Sequence, residues 1–210
     1  MGPWISTESG LLETRNLKLE TAVLDLGWLI CGIDATIPLT WLMVHPFAGF
    51  WRRHARYFPV VGVCWIGLWL LAWKVSSPWR YAVLYHSGWS WLLAIPLWAI
   101  AVLVGGGGAR GLSFWRIMGR PELNPARQDN RLIITSMHGR VRHPIYLGHL
   151  CMMLGWSLGT GSLACWSLTA FAVAAGALMI PMEERELEQR FGAAYGEYKR
   201  RVPMIVPRSK

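Results

Sequence analysis

Charge is what this chain lacks most. Only 16% of its 210 residues are Asp, Glu, Lys or Arg, against roughly 25% in soluble domains. That shortage excludes an ordinary soluble domain of this length. Acidic residues are scarcer still, 12 against 21 Lys and Arg, for a formal net charge of +9. The four cysteines, Cys31, Cys64, Cys151 and Cys165, all lie in apolar blocks and form no CxxC pair. Neither a disulfide framework nor a metal site is expected from such cysteines. No strand pattern precedes the run Gly105 to Gly108 and no GxGxxG follows it, which excludes a phosphate or dinucleotide loop. The run reads as a flexible exit from a helix. No internal repeat is visible. The first twenty residues include Glu8, Glu13, Arg15, Lys18 and Glu20 and have no apolar core, so no cleavable signal peptide is expected.

What is present is apolar. The chain is 53% hydrophobic with 14 tryptophans, and its mean hydropathy is +0.30. The apolar residues fall in blocks long enough to cross a bilayer, which takes about 20 residues per helix. The first three blocks run 21–44, 58–75 and 81–104. A long fourth stretch is split by the turn signal Gly159-Thr160-Gly161-Ser162 into 145–158 and 163–182. Unpaired amides cannot face lipid, so these segments must be helical. The fold expected is therefore all-α and integral to the membrane: a single domain over 1–210 with five transmembrane helices.

Arginine placement orients it. Arg52, Arg53 and Arg56 follow the first block, Arg110 to Arg142 contribute seven arginines after the third, and Arg185 to Lys210 close the chain. Basic loops face the cytoplasm, which puts the C terminus inside. Beside apolar blocks, these cations meet anionic lipid headgroups rather than nucleic acid. Tryptophans are expected in interfacial belts. Leu187, Phe191, Tyr195, Tyr198 and Val202 recur at helical spacing, predicting a C-terminal amphipathic cytoplasmic helix. Such a helix can lie on the bilayer or close over a site.

Two polar segments flank the last apolar pair. Pro144 suits the first position of a helix, which sets Arg142 and His143 at a helix N-terminus, where free amides and a positive dipole favour an anion. Glu183 and Glu184 follow Pro181, a residue able to open the backbone, at the inner end of the last block. Ionisable groups at a hydrocarbon boundary are usually functional. Together the two ends suit a zwitterion with a further positive centre; S-adenosylmethionine and a phospholipid headgroup both fit. His149 shares a helical face with Tyr146. Asp25 and Asp34, nine residues apart, point to roughly opposite sides of a helix, so they cannot form one paired site. Asp25 is expected near the outer headgroups and Asp34 inward with a partner.

Asn130-Arg131-Leu132-Ile133, Arg142-His143-Pro144-Ile145-Tyr146-Leu147-Gly148, Glu183-Glu184 and Phe191-Gly192-Ala193-Ala194-Tyr195-Gly196-Glu197-Tyr198 through Pro203 occur in this order. The pattern, covering about 129–207, resembles the C-terminal signature of the isoprenylcysteine carboxyl methyltransferase and phospholipid methyltransferase group. The resemblance implies S-adenosylmethionine-dependent methyl transfer to a prenylated or otherwise lipophilic acceptor. It implies cofactor roles for Asn130, Arg131, Leu132, Ile133, His143, Pro144, Ile145, Tyr146 and Glu183. His138 stands where a tyrosine is common, and a histidine there can stack or donate. The isoprenylcysteine enzymes carry an arginine for the substrate carboxylate four residues before the first glutamate. This chain has Met179, so the acceptor is open among a thiol, an amine headgroup and another lipid, unless Arg142 or another arginine supplies the charge. Glu184 and His149 are the candidates to take a proton from a thiol or ammonium acceptor. Sterol reductases share an RHPxYxG-like segment and bind a nicotinamide cofactor there, which gives an NADPH-dependent alternative; the EE pair and the FGxxYxxY tail favour methyl transfer. A non-catalytic lipid-binding protein on the same fold is the third reading.

Overall fold

The computed structural model describes residues 5–110, 112–113 and 131–206, and side chains from residue 14 onward apart from Phe58. Asn130 lies outside the described residues. The described chain is helical, with one isolated bridge and no strand. In chain order the helices are α1 (Ile5–Val44), α2 (Ala48–Arg53), α3 (Phe58–Val75), α4 (Gly88–Ile100), α5 (Gly106–Ala109), α6 (Pro144–Thr160), α7 (Leu163–Phe191) and α8 (Ala193–Arg201). Among the described residues, four stretches are long and apolar enough to cross a membrane: Thr14–Val44, Ala55–Val75, Gly88–Ala109 and Leu163–Phe191. Outward-facing Val63, Leu70, Leu93, Val102 and Leu178 keep an apolar exterior, as a lipid-facing surface requires.

The α6–α7 hairpin is the frame of the molecule. α6 ends at Gly161, whose φ of +62° is a left-handed cap that favours glycine. Ser162 then caps α7 by accepting from the Cys165 amide. Ser157 and Thr169 share a 2.9 Å hydrogen bond across the pair. α1 lies against both helices, and Cys31, Ala35, Met153 and Cys165 form their common core.

Several local features differ from the sequence expectation: the first helix begins at Ile5 and the last long one runs to Phe191, and three further differences have local reasons. The third long helix starts at Gly88 rather than at residue 81, because the preceding segment clasps the α6–α7 turn. Leu84 donates to the Gly161 carbonyl and Leu163 to that of Ala82. The glycine run is not a flexible exit: the helix passes through a π-turn at Ala101–Gly105 and continues as α5. Gly148 of α6 comes so close to Gly105 that a Cβ on it would lie 2.6 Å from the Gly105 Cα. Helices in a bilayer gain by packing such small residues together, and that gain offsets glycine's poor helix propensity. Pro181 does not open the backbone; it sits inside an unbroken α7.

The tail stripe predicted as a single helix is divided at Gly192, where φ is +56°. Its apolar members still converge: Tyr195, Tyr198 and Val202 are buried together against Leu132, Leu187 and Phe191.

At the turn end of the bundle, Asp25 meets Arg80 at 3.3 Å and the Tyr81 hydroxyl at 3.0 Å. The Arg80 guanidinium stacks 3.6 Å from the Trp73 ring. Asp34, one oxygen of which meets His149 Nδ1 at 2.9 Å, gains the inward partner expected of it.

Candidate functional site

The open ends of the α6–α7 hairpin meet. Pro144 is the first residue of α6, so His143 stands at its N-cap position. Its ring lies between the two glutamates of α7: Nε2 is 3.2 Å from Glu184 Oε1 and Nδ1 is 3.8 Å from Glu183 Oε2. The adjacent glutamates have different surroundings. Glu184 is 3% exposed and its oxygens are taken up by Arg142 at 2.8 Å, by His143 and by Lys199 at 3.0 Å. Glu183 Oε2 is buried with no hydrogen-bond partner among the described residues, and Glu183 faces a cavity.

The chain's last segment is stitched onto this end. Arg142 donates through its guanidinium to the carbonyls of Lys199 and Val202. The amides of Arg142 and His143 donate to the Pro203 and Met204 carbonyls at 2.8 and 3.1 Å. The Tyr198 hydroxyl donates to the His138 carbonyl at 2.7 Å. Burial pushes the Tyr198 phenol up to about 12 and raises that of Tyr195 further. Glu188 and Glu184 raise the Lys199 ammonium above its usual range. All three residues therefore keep their ordinary protonation at neutral pH.

The cavity measures about 540 Å³, within the span of about 300–1,000 Å³ typical of small-molecule sites. Arg131, Leu132, Ile133, His138, Arg142, His143, Pro144, Ile145, Tyr146, His149 and Glu183 line it together. Two residues singled out from sequence do not: Met179 is 0% exposed within the bundle, and Glu184 lies behind the wall in the ion cluster. The opposite wall was not anticipated. It comes from Ile33, Ile37, Thr40, Trp41, Val44 and His45 at the end of α1, with Val61 and Trp65 of α3. For His45 a signal existed, an ionisable residue at the end of an apolar block; the apolar residues carried none.

His45 is 8% exposed. It stacks on Trp41, and neither ring nitrogen has a hydrogen-bond partner among the described residues. Burial holds its imidazole below the usual histidine range, hence neutral. No group of three or more potential metal ligands occurs among the described residues.

The family model described as Phospholipid methyltransferase matches residues 89–194, half of the chain and all of the hairpin. Three relatives are similar to this chain over part of its length. Protein-S-isoprenylcysteine O-methyltransferase B of Arabidopsis thaliana is 38% identical over 85 residues, 38% of this chain and 41% of that protein. Delta(14)-sterol reductase TM7SF2 of Mus musculus is 37% identical over 90 residues, 41% of this chain and 21% of that protein. Methanethiol S-methyltransferase 2 of Bradyrhizobium diazoefficiens is 43% identical over 70 residues, 32% of this chain and 26% of that protein. The chain thus spans less than half the length of each relative. No solved structure gives a significant match.

Proposed function

We propose that this chain, which belongs to the phospholipid methyltransferase family, moves a methyl group from S-adenosylmethionine to a lipophilic acceptor at the membrane surface. The single observation supporting this most is the meeting of His143 and Glu183, 3.8 Å apart, on the wall of one cavity. A donor with a carboxylate, an ammonium and a sulfonium needs an anion-receiving end and an acidic end. The N-terminus of α6 with His143 is the first; Glu183, whose Oε2 lacks a partner among the described residues, is the second. The residues therefore fit the donor.

Arg131, Leu132, Ile133, His138, Pro144, Ile145 and Tyr146 complete the donor's walls, with Asn130 as a further candidate. When bound, S-adenosylmethionine supplies a methyl group already activated by its positive sulfur. The chain's own tasks are then alignment and exclusion of water. The apolar wall of Ile33, Ile37 and Val44 keeps the cavity dry, and the Arg142–Glu184–Lys199 cluster locks the hairpin ends so that His143 and Glu183 keep their spacing. His149 is tied to Asp34, which orients its ring toward the cavity. His149 remains the candidate to take a proton from a thiol or ammonium acceptor. Glu184, held by Arg142, Lys199 and His143, serves better as an anchor.

We further propose five crossings, with the site and the C terminus cytoplasmic. α6 supplies the additional span, and its 17 residues reach about 25 Å. That falls short of about 30 Å of hydrocarbon, a mismatch met by local thinning of the bilayer. α8 would cover the site from the aqueous side.

Similarity to the mouse sterol reductase favours one second reading, a nicotinamide-dependent reduction. One experiment separates them. Purified protein in phosphatidylcholine nanodiscs is given S-adenosylmethionine with a labelled methyl group and, separately, NADPH, across prenylcysteines, aminophospholipids, small thiols and sterols. Label in an acceptor with no NADPH consumption is expected. NADPH consumption without label supports the reductase, and neither supports a non-catalytic lipid binder.

A further inference from the structure

A second cavity of about 510 Å³ adjoins the first, and His45 and Arg190 border both. Its remaining wall comes from the α1–α2 corner and from the outer face of α7, including Arg52, Met182, Arg185 and Glu186. Three guanidinium groups here face one carboxylate. Glu186, 8% exposed, meets Arg52 at 2.9 Å and Arg190 at 3.4 Å, which fixes those two arginines in the wall. Arg185 forms no ion pair with any described residue. The buried neutral ring of His45 offers one N–H donor and one acceptor nitrogen, neither taken up by a described residue. A half-enclosed space with three guanidinium groups against one carboxylate, and an unsatisfied donor on its wall, suits an anion.

Met179 is fully buried and does not line the donor cavity, so it cannot receive an acid group of the acceptor. We infer that this second cavity receives that acid group, a phosphate or carboxylate, on Arg185, Arg52 and His45, while the methyl-accepting atom reaches past His45 into the first cavity. The word acceptor rests on the methyl-transfer reading; binding of an anion at these residues does not.

The test is a binding titration of the full chain in neutral detergent with dihexanoylphosphatidic acid, inorganic phosphate and dihexanoylglycerol, alongside a separate S-adenosylmethionine titration. The variants are Arg185→Gln, His45→Phe and, as a control of equal charge change, Arg56→Gln, which lies outside the cavity. Saturable binding of the phosphatidic acid is expected, with none of the neutral glyceride. Losing a charge-assisted hydrogen bond should weaken it about tenfold or more in R185Q, with R56Q unchanged. R185Q should keep its affinity for S-adenosylmethionine. Inorganic phosphate binding with the same R185Q sensitivity also supports the anion site but assigns it to a soluble ligand. Equal weakening in R56Q, insensitivity to both R185Q and H45F, or no anion binding at all overturns the inference. Loss of S-adenosylmethionine binding by the wild-type chain, with the anion site intact, would instead overturn the donor reading alone.

Discussion

His143 Nε2 lies 3.2 Å from Glu184 Oε1, joining the N-cap of α6 to the C-terminal part of α7. The same carboxylate takes Arg142 and Lys199, so one buried anion holds the N-terminus of one helix, the C-terminal part of another and the tail together. Donor cavity and tail are built around that cluster.

Glu184→Gln should therefore damage the fold before it damages chemistry. It leaves the Arg142 guanidinium, whose side chain is 8% exposed, with carbonyl acceptors but no counter-charge, and removing one partner of a buried pair costs about 3–5 kcal/mol. Thermal unfolding in detergent should show a marked fall in Tm. An unchanged Tm would mean the cluster is not a structural tie.

Asp34 and His149 offer a cleaner separation. His149→Leu leaves the Asp34 carboxylate, 8% exposed, without its 2.9 Å partner, at a cost of about 1–3 kcal/mol. Asp34→Leu with His149→Leu removes both hydrogen-bonding partners and should recover much of that loss. A double-mutant cycle on unfolding free energy reads the coupling directly, and additive losses would contradict the pair.

Close helix contact makes a steric prediction. Gly148→Ala would set a Cβ 2.6 Å from the Gly105 Cα, backbone that cannot swing aside. Expression of folded protein should collapse. Gly176 on α7 has nothing within 4 Å of a new Cβ, so Gly176→Ala should be neutral or stabilising by about 0.5–1 kcal/mol. Size-exclusion profiles of the two variants give the comparison.

Tyr198 predicts the alkaline limit. Its folded value of about 12 lies above the ordinary 10.0, because burial penalises the phenolate. The stability it contributes is complete below pH 10 and is lost as pH rises from about 10 to 12. Tyr198→Phe should flatten that part of the stability-against-pH curve, measured by unfolding at stepped pH. An unaltered curve would show that the phenol ionises as freely in the folded protein as in the unfolded one.

Sequence and structure agree where chemistry is carried by contiguous segments. Arg142, His143 and Glu183 are legible because a polar residue at a membrane boundary is a local anomaly, whereas Arg131 to Ile133 and Pro144 to Tyr146 are named only through the resemblance; all of them line one cavity. The wall from α1 and α3 was not, since which way Ile37 or Trp65 faces is decided by packing against other helices. The glycine run failed for a related reason: propensity reads Gly105 to Gly108 as weak helix, and only the approach of Gly148 explains why helix persists. Pro181 likewise reads as a break and sits instead in continuous helix. The partner of Asp34 is more than one hundred residues away in sequence, beyond the reach of any periodicity.

The most direct measurement of the central claim is calorimetric titration of S-adenosylmethionine into the wild-type chain, Glu183→Gln and His143→Ala. One pocket shared by both residues predicts saturable binding to the wild type. Each variant should weaken it by roughly 10–100-fold, the range for a lost charge-assisted hydrogen bond. Wild-type protein that binds no S-adenosylmethionine, or variants that bind it as tightly as the wild type, would contradict the account.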